Sequence, residues 1–172
     1  MQKITPFLWF NNQAEDAMNF YTEIFNTRPG TANGESKINS IQRYPDGPLE
    51  DPMKGMEGKV LTAVFQLDGQ TFMCLDGGPV FKATGAMSLY IECEDQAEVD
   101  HFWNKLSEGG NPEAQQCGWL QDKFGFSWQI IPKALPRLLT DSDKAKSGRV
   151  MAAMLQMKKI DVPTLESAAN QE

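Results

Sequence analysis

A chain of 172 residues is long enough for one domain with its own core, or for two small repeats sharing one. With 41% hydrophobic and 23% charged residues, it has the composition of an ordinary globular protein rather than a disordered or fibrous one. The formal net charge of −7 repels phosphate backbones and anionic headgroups, so no nucleic-acid partner and no membrane surface are expected.

No run approaches the roughly 20 uninterrupted apolar residues of a bilayer span. Cys74, Cys93 and Cys117 are too few, and odd in number, for a disulfide framework, and MQKITPFLWFNNQAED has no apolar signal core. The expected location is the reducing cytoplasm. His101 is the sole histidine, whereas zinc and iron sites usually draw on two or more imidazoles.

In chain order, Ile4 to Phe10 read as a buried strand, with Phe7 and Trp9 expected under a helix. That helix should span Gln13 to Phe25, with Asn12 as N-cap, Glu15 in capping-box register, and Ala14, Ala17, Met18, Tyr21, Ile24 and Phe25 on one stripe. Lys37 to Arg43 alternates in part, and residues 44–59 form a long loop rich in proline and glycine. Val60 to Leu67 and Thr71 to Asp76 flank Asp68-Gly69-Gln70, a strong hairpin signal.

The order β-α-β-β-β then recurs. Met87 to Cys93 reads as a strand with Leu89 and Ile91 buried. A helix over Gln96 to Glu108 opens at Asp95, with Glu98 in capping register, and closes at Gly109-Gly110. Three short strands follow, at Glu113 to Cys117, Trp119 to Asp122 and Phe126 to Ile131. The helix starts Asn12 and Asp95 are separated by nearly the same distance as the aromatic pairs Phe20-Tyr21 and Phe102-Trp103, so start and face repeat together. From Pro132 onward helix formers dominate, with Met151, Met154 and Leu155 at helical spacing. The expected class is α+β: paired βαβββ modules over residues 1–132, divided at about 82/83, with a helical extension over 133–172 packed on the same domain.

FLWFNNQAEDAMNFYTEIF, the strand MSLYIECED and GWLQDKFGFSWQIIP together resemble the PhnB-like family, often labelled 3-demethylubiquinone-9 3-methyltransferase. That family belongs to the vicinal oxygen chelate superfamily, with glyoxalase I and the bleomycin resistance proteins. The resemblance implies a cupped, eight-stranded mixed sheet around a cavity, usually in a homodimer. In metal-dependent members four ligands, mostly His and Glu, project into the cup, and the matching positions here are Pro6, Cys74, Ser88 and Gln129. Proline has no donor atom and neutral Ser and Gln are weak ligands, so neither metal nor other cofactor is expected.

Alternation sends Ser88, Tyr90 and Glu92 to one face. Together with the matched positions this gives a candidate small-molecule site of Cys74, Ser88, Tyr90 and Gln129, with Glu92 at its rim. Three other functions compete: a metal-dependent glyoxalase- or dioxygenase-type enzyme, the methyltransferase of the family label, and a non-enzymatic dimeric interaction module. Neither strand-to-helix connection carries the glycine-rich turn usual for S-adenosylmethionine. Three residues have simpler structural readings: Cys74 as a small buried hydrophobe, Asp122 as a turn former, and His101 as a solvated surface histidine.

Overall fold

The computed structural model describes residues 3–30 and 35–171. The chain divides into two units, Met1–Ala83 and Thr84–Glu172. In the first, β1 (Phe7–Phe10) leads to α1 (Ala14–Asn26), followed by β2 (Lys37–Arg43), β3 (Val60–Leu67) and β4 (Gln70–Asp76). Their sheet has the order β1-β4-β3-β2, with β1 parallel to β4 and the other neighbours antiparallel. In the second, β5 (Ser88–Cys93), α2 (Gln96–Ser107), β6 (Asn111–Gln116), β7 (Trp119–Gln121) and β8 (Ser127–Pro132) repeat that element order, and the sheet order is β5-β8-β7-β6. The second unit continues into α3 (Ala134–Leu139), α4 (Lys144–Met154) and α5 (Val162–Asn170). The class is α+β, built from two βαβββ modules with appended helices.

Turn chemistry fixes the strand registers. Asp68 (φ 51°) and Gly69 (φ 79°) are both left-handed and join Leu67 to its partner Gln70, the two-residue geometry that matches strand twist. Cys117 (φ 50°) and Gly118 (φ 85°) do the same between Gln116 and Trp119. Asp122 is indeed a turn residue: its Oδ1 accepts from Phe124 N (2.9 Å) and Phe126 N (3.0 Å). Its Oδ2 also accepts from Trp128 Nε1 at 2.8 Å, so one buried carboxylate ties the turn to β8.

Each sheet packs one face against the helix of its own module, as mixed and antiparallel sheets commonly do. In the first unit Leu8, Phe10, Ala63, Phe65, Leu67, Phe72 and Cys74 are buried, as are Ala14, Ala17, Met18, Tyr21, Ile24 and Phe25 of α1. Phe65 and Phe72 stack with centroids 5.3 Å apart. Phe7 and Trp9 alternate with Leu8 and Phe10 and so take the opposite face, which corrects the expectation that they lie under a helix. Phe7 is 49% exposed, and Trp9 is half-buried edge-on against Phe81, with Nε1 donating to Gly78 O at 2.9 Å.

Asn12 does not cap α1. It adopts φ 63°, the N-cap position falls at Gln13, and Gln13 makes no side-chain capping bond. The helix start is satisfied from β4 instead, where buried Asp76 accepts from Ala14 N at 2.9 Å and from Val60 N at 3.2 Å. A partner so distant in sequence leaves no local signal. The second helix follows its local rule: Asp95 Oδ1 accepts from Glu98 N (3.0 Å), and Glu98 Oε2 accepts from Glu94 N (2.8 Å). Ile91, Cys93, Leu120, Trp128 and Ile130 are buried with Val99, Phe102, Trp103 and Leu106 of α2, while Leu89 is only half-buried. His101 is half-buried and stands edge-on to Phe102.

The C-terminal helices bury Leu135, Leu138, Val150, Ile160, Leu165 and Ala169 around Ile131 at the end of β8. Residues 154–162 are bonded along the module: Cys117 N donates to Met157 O (2.9 Å), Gly118 N to Lys158 O (2.7 Å), and Gln96 bridges Ile160 O and Val162 N. Among the described residues no helix is long and apolar enough to cross a membrane.

Candidate functional site

On β5 the outward set is Ser88, Tyr90 and Glu92, because Ile91 and Cys93 turn under α2. The parallel register sets Ser88 opposite Ser127, Tyr90 opposite Gln129 and Glu92 opposite Ile131. Antiparallel β7 then places Trp119 opposite Gln129 and Gln121 opposite Ser127. Directly opposed residues share a face, so these side chains belong to the face of the sheet opposite α2, on which Ser127 and Ile131 are buried. Tyr90 is 53% exposed there and Trp119 36%.

Within this surface Gln129 Nε2 donates to Ser88 Oγ at 2.8 Å. That bond uses one of the amide's two N–H donors and holds the side chain against Ser88. Burial, then the nearby Glu92 carboxylate and Cys93, raises the Tyr90 pKa, so at neutral pH the phenol keeps its proton and is a neutral donor. Glu92 is exposed and lies 3.9 Å from Lys133, whose ammonium pairs more closely with Glu94. Lys133 titrates above its usual value, first through that bond to Glu94.

Four of the five expected site residues, Ser88, Tyr90, Glu92 and Gln129, therefore share one face of the second sheet. Cys74 does not point with such a face. In the first unit it pairs with Leu8 and Ala63 and lies on the α1 side with Phe72 and Asp76, fully buried. Burial, then the Asp76 charge, pushes its thiol up to about 12. This corrects its assignment as a ligand-facing residue. The position equivalent to Gln129 is Met73, since Met73 opposes Phe7 as Gln129 opposes Tyr90. Trp119, absent from the expected set, shares this face, and the signal that would have found it is its register with Gln129.

The metal quartet of the superfamily finds no counterpart in these donors. Pro6 has no donor atom, Cys74 is a protonated thiol beneath a helix, and Ser88 and Gln129 bond to each other. Among the described residues no cluster of three or more His, Cys, Asp or Glu side chains could hold a metal ion. A separate polar cleft of about 230 Å³ opens beside Gln13, Asp16, Arg43, Lys59 and Asp76 in the first unit. In its lining Arg43 Nη2 binds both oxygens of Glu15 (2.8 and 2.7 Å), and Asp76 accepts from the backbone at Ala14 N and Val60 N.

Comparison with known proteins places this geometry in a family. The family described as 3-demethylubiquinone-9 3-methyltransferase matches residues 2–131, ending just before the C-terminal helices. The solved PhnB protein from Bacillus cereus is 42% identical, with a TM-score of 0.60, over 76% of this chain and 99% of its own. A solved Pseudomonas aeruginosa protein shares the fold at 21% identity, with a TM-score of 0.56, over 77% of this chain and 98% of its own. Among curated proteins nothing matches. With three quarters of its length matched and its two βαβββ modules in the same strand order, the chain belongs to this PhnB-like family of the vicinal oxygen chelate superfamily.

Proposed function

We propose that the chain is a small-molecule-binding protein that works without a metal ion and holds its ligand on the uncovered face of the second sheet. Ser88, Tyr90 and Gln129 supply hydrogen bonds, and Glu92 stands at the rim. The observation that carries this reading is the Gln129–Ser88 bond on the sheet face between the exposed rings of Tyr90 and Trp119. A fixed amide beside two exposed aromatic rings is the combination of apolar lining and few oriented polar groups that small-molecule sites use.

The donor set supports hydrogen bonding over Lewis-acid chemistry, as no strong metal-ligand cluster faces the site. Transfer of a methyl group, as the family label has it, would need a nucleotide-binding turn. Here β1 passes to α1 through Asn11-Asn12-Gln13, and β5 passes to α2 through Glu94-Asp95, without a glycine. The same reading has the chain acting as a homodimer in the cytoplasm. Exposed Ile4, Phe7, Val80, Phe81 and Met87 support association. Three free thiols suit a reducing compartment.

A thermal-shift screen of small molecules on protein purified without chelator tests the proposal, with metal analysis of the same sample. A ligand at 100 times its dissociation constant should add about 2.7 kcal/mol of stability, with substoichiometric metal. Stoichiometric zinc, iron or manganese would overturn the metal-free reading, and a screen without any saturable binder would overturn the binding function.

A further inference from the structure

Gln116 on β6 stands in register with Trp119, Trp119 with Gln129, and Gln129 with Tyr90. The four side chains form one row across the uncovered face, stepping about 4.8 Å per strand. The row ends against the C-terminal segment, where Gln116 Nε2 donates to Leu155 O at 3.1 Å. Two residues along β8 from Gln129, Ile131 shares the face yet is buried with Leu135, Leu138, Val150 and Ile160. The appended helices thus cover one end of the face, and the end of α4 meets its edge at Gln116.

Two apolar side chains at the end of α4 are exposed, Leu155 (51%), whose carbonyl meets Gln116, and Met151 (43%). Four residues apart across the last turn and C-cap of α4, they lie on the same side of the helix. Residues 144–155 lie beyond the family match, so this border is an addition to the shared fold.

We propose that the end of α4 is a wall of the ligand site, with Leu155 and Met151 contacting the apolar part of the ligand. The inference rests on the reading of the uncovered face as the binding surface. It assigns the ligand a class: a neutral small molecule with a planar, hydrogen-bonding head over Gln129 and Ser88 and an apolar portion running past Trp119 to Leu155. Charge fits that class, because Glu92 on this face has Lys133 3.9 Å away, and that ammonium is engaged by Glu94.

Nile red, a neutral dye with a planar polar head, is the probe. Its fluorescence is titrated against the full chain, the double variant Leu155→Gln/Met151→Gln, and Trp119→Ala. Saturable binding to the natural chain is expected, about tenfold weaker in the double variant at unchanged melting temperature, since both replaced side chains are already half in water. If Trp119→Ala weakens binding while the double variant binds like the natural chain, the wall is overturned and the binding face stands. If the natural chain shows no saturable binding, or if none of the variants changes it, the binding face and the wall fall together.

Discussion

Cys74 and Met73 are one position apart and point to opposite faces of their sheet. The difference follows from register: Leu8 opposes Cys74 and is buried with it, whereas Phe7 opposes Met73 and is exposed. Family motifs alone placed the site one residue off on β4, because a strand's side-chain period of two converts a shift of one into a change of face. Buried thiols carry a testable consequence. Both Cys74 and Cys93 are pushed up to about 12, chiefly by burial, so the folded state favours their protonated forms. Their contribution to stability is complete below the unfolded thiol value near 9 and is lost as pH rises through 12. Denaturation midpoints should therefore fall between pH 9 and 12, and by less in Cys74→Ala/Cys93→Ala. An equal fall in that variant would mean the thiols are not responsible.

At the scale of elements, local rules succeeded where the partner is local. Asp68-Gly69 announces its hairpin, and Asp95 with Glu98 announces α2, because each bonds within a few residues. They failed at α1, whose first N–H is taken by Asp76 from across the unit, and at Trp119, whose place in the site depends on pairing with β8. The C-terminal strap was legible only as helix-forming composition. One of its attachments is Gln96, whose Nε2 donates to Ile160 O (3.1 Å) and whose Oε1 accepts from Val162 N (2.7 Å). Replacing Gln96 with Ala leaves both backbone groups without that partner and should cost about 1–3 kcal/mol in urea unfolding. Faster amide exchange is expected at Val162 in the same variant, and unchanged stability and exchange would show that the apolar cluster around Ile131 and the bonds from Cys117 N and Gly118 N hold the segment without Gln96.

For the whole molecule, the repeat was the most legible feature, since each module carries its own helix start, hairpin turn and alternating strands. Two modules of one strand order follow from that duplication, while the use made of each open face follows from the few residues in which they differ. The first module presents Phe7, Trp9 and Met73, and the second presents Tyr90, Glu92 and Gln129 at the corresponding places. That exchange of apolar for polar side chains is why the hydrogen-bonding site is assigned to the second module. The most direct test is the affinity, by calorimetric titration, of a small molecule found in the thermal-shift screen for the natural chain and for Ser88→Ala/Gln129→Ala. With the fold of the variant verified by circular dichroism, binding should weaken by about 1–3 kcal/mol for each buried hydrogen bond lost. Equal affinity in the two proteins would contradict the assignment of this face as the site.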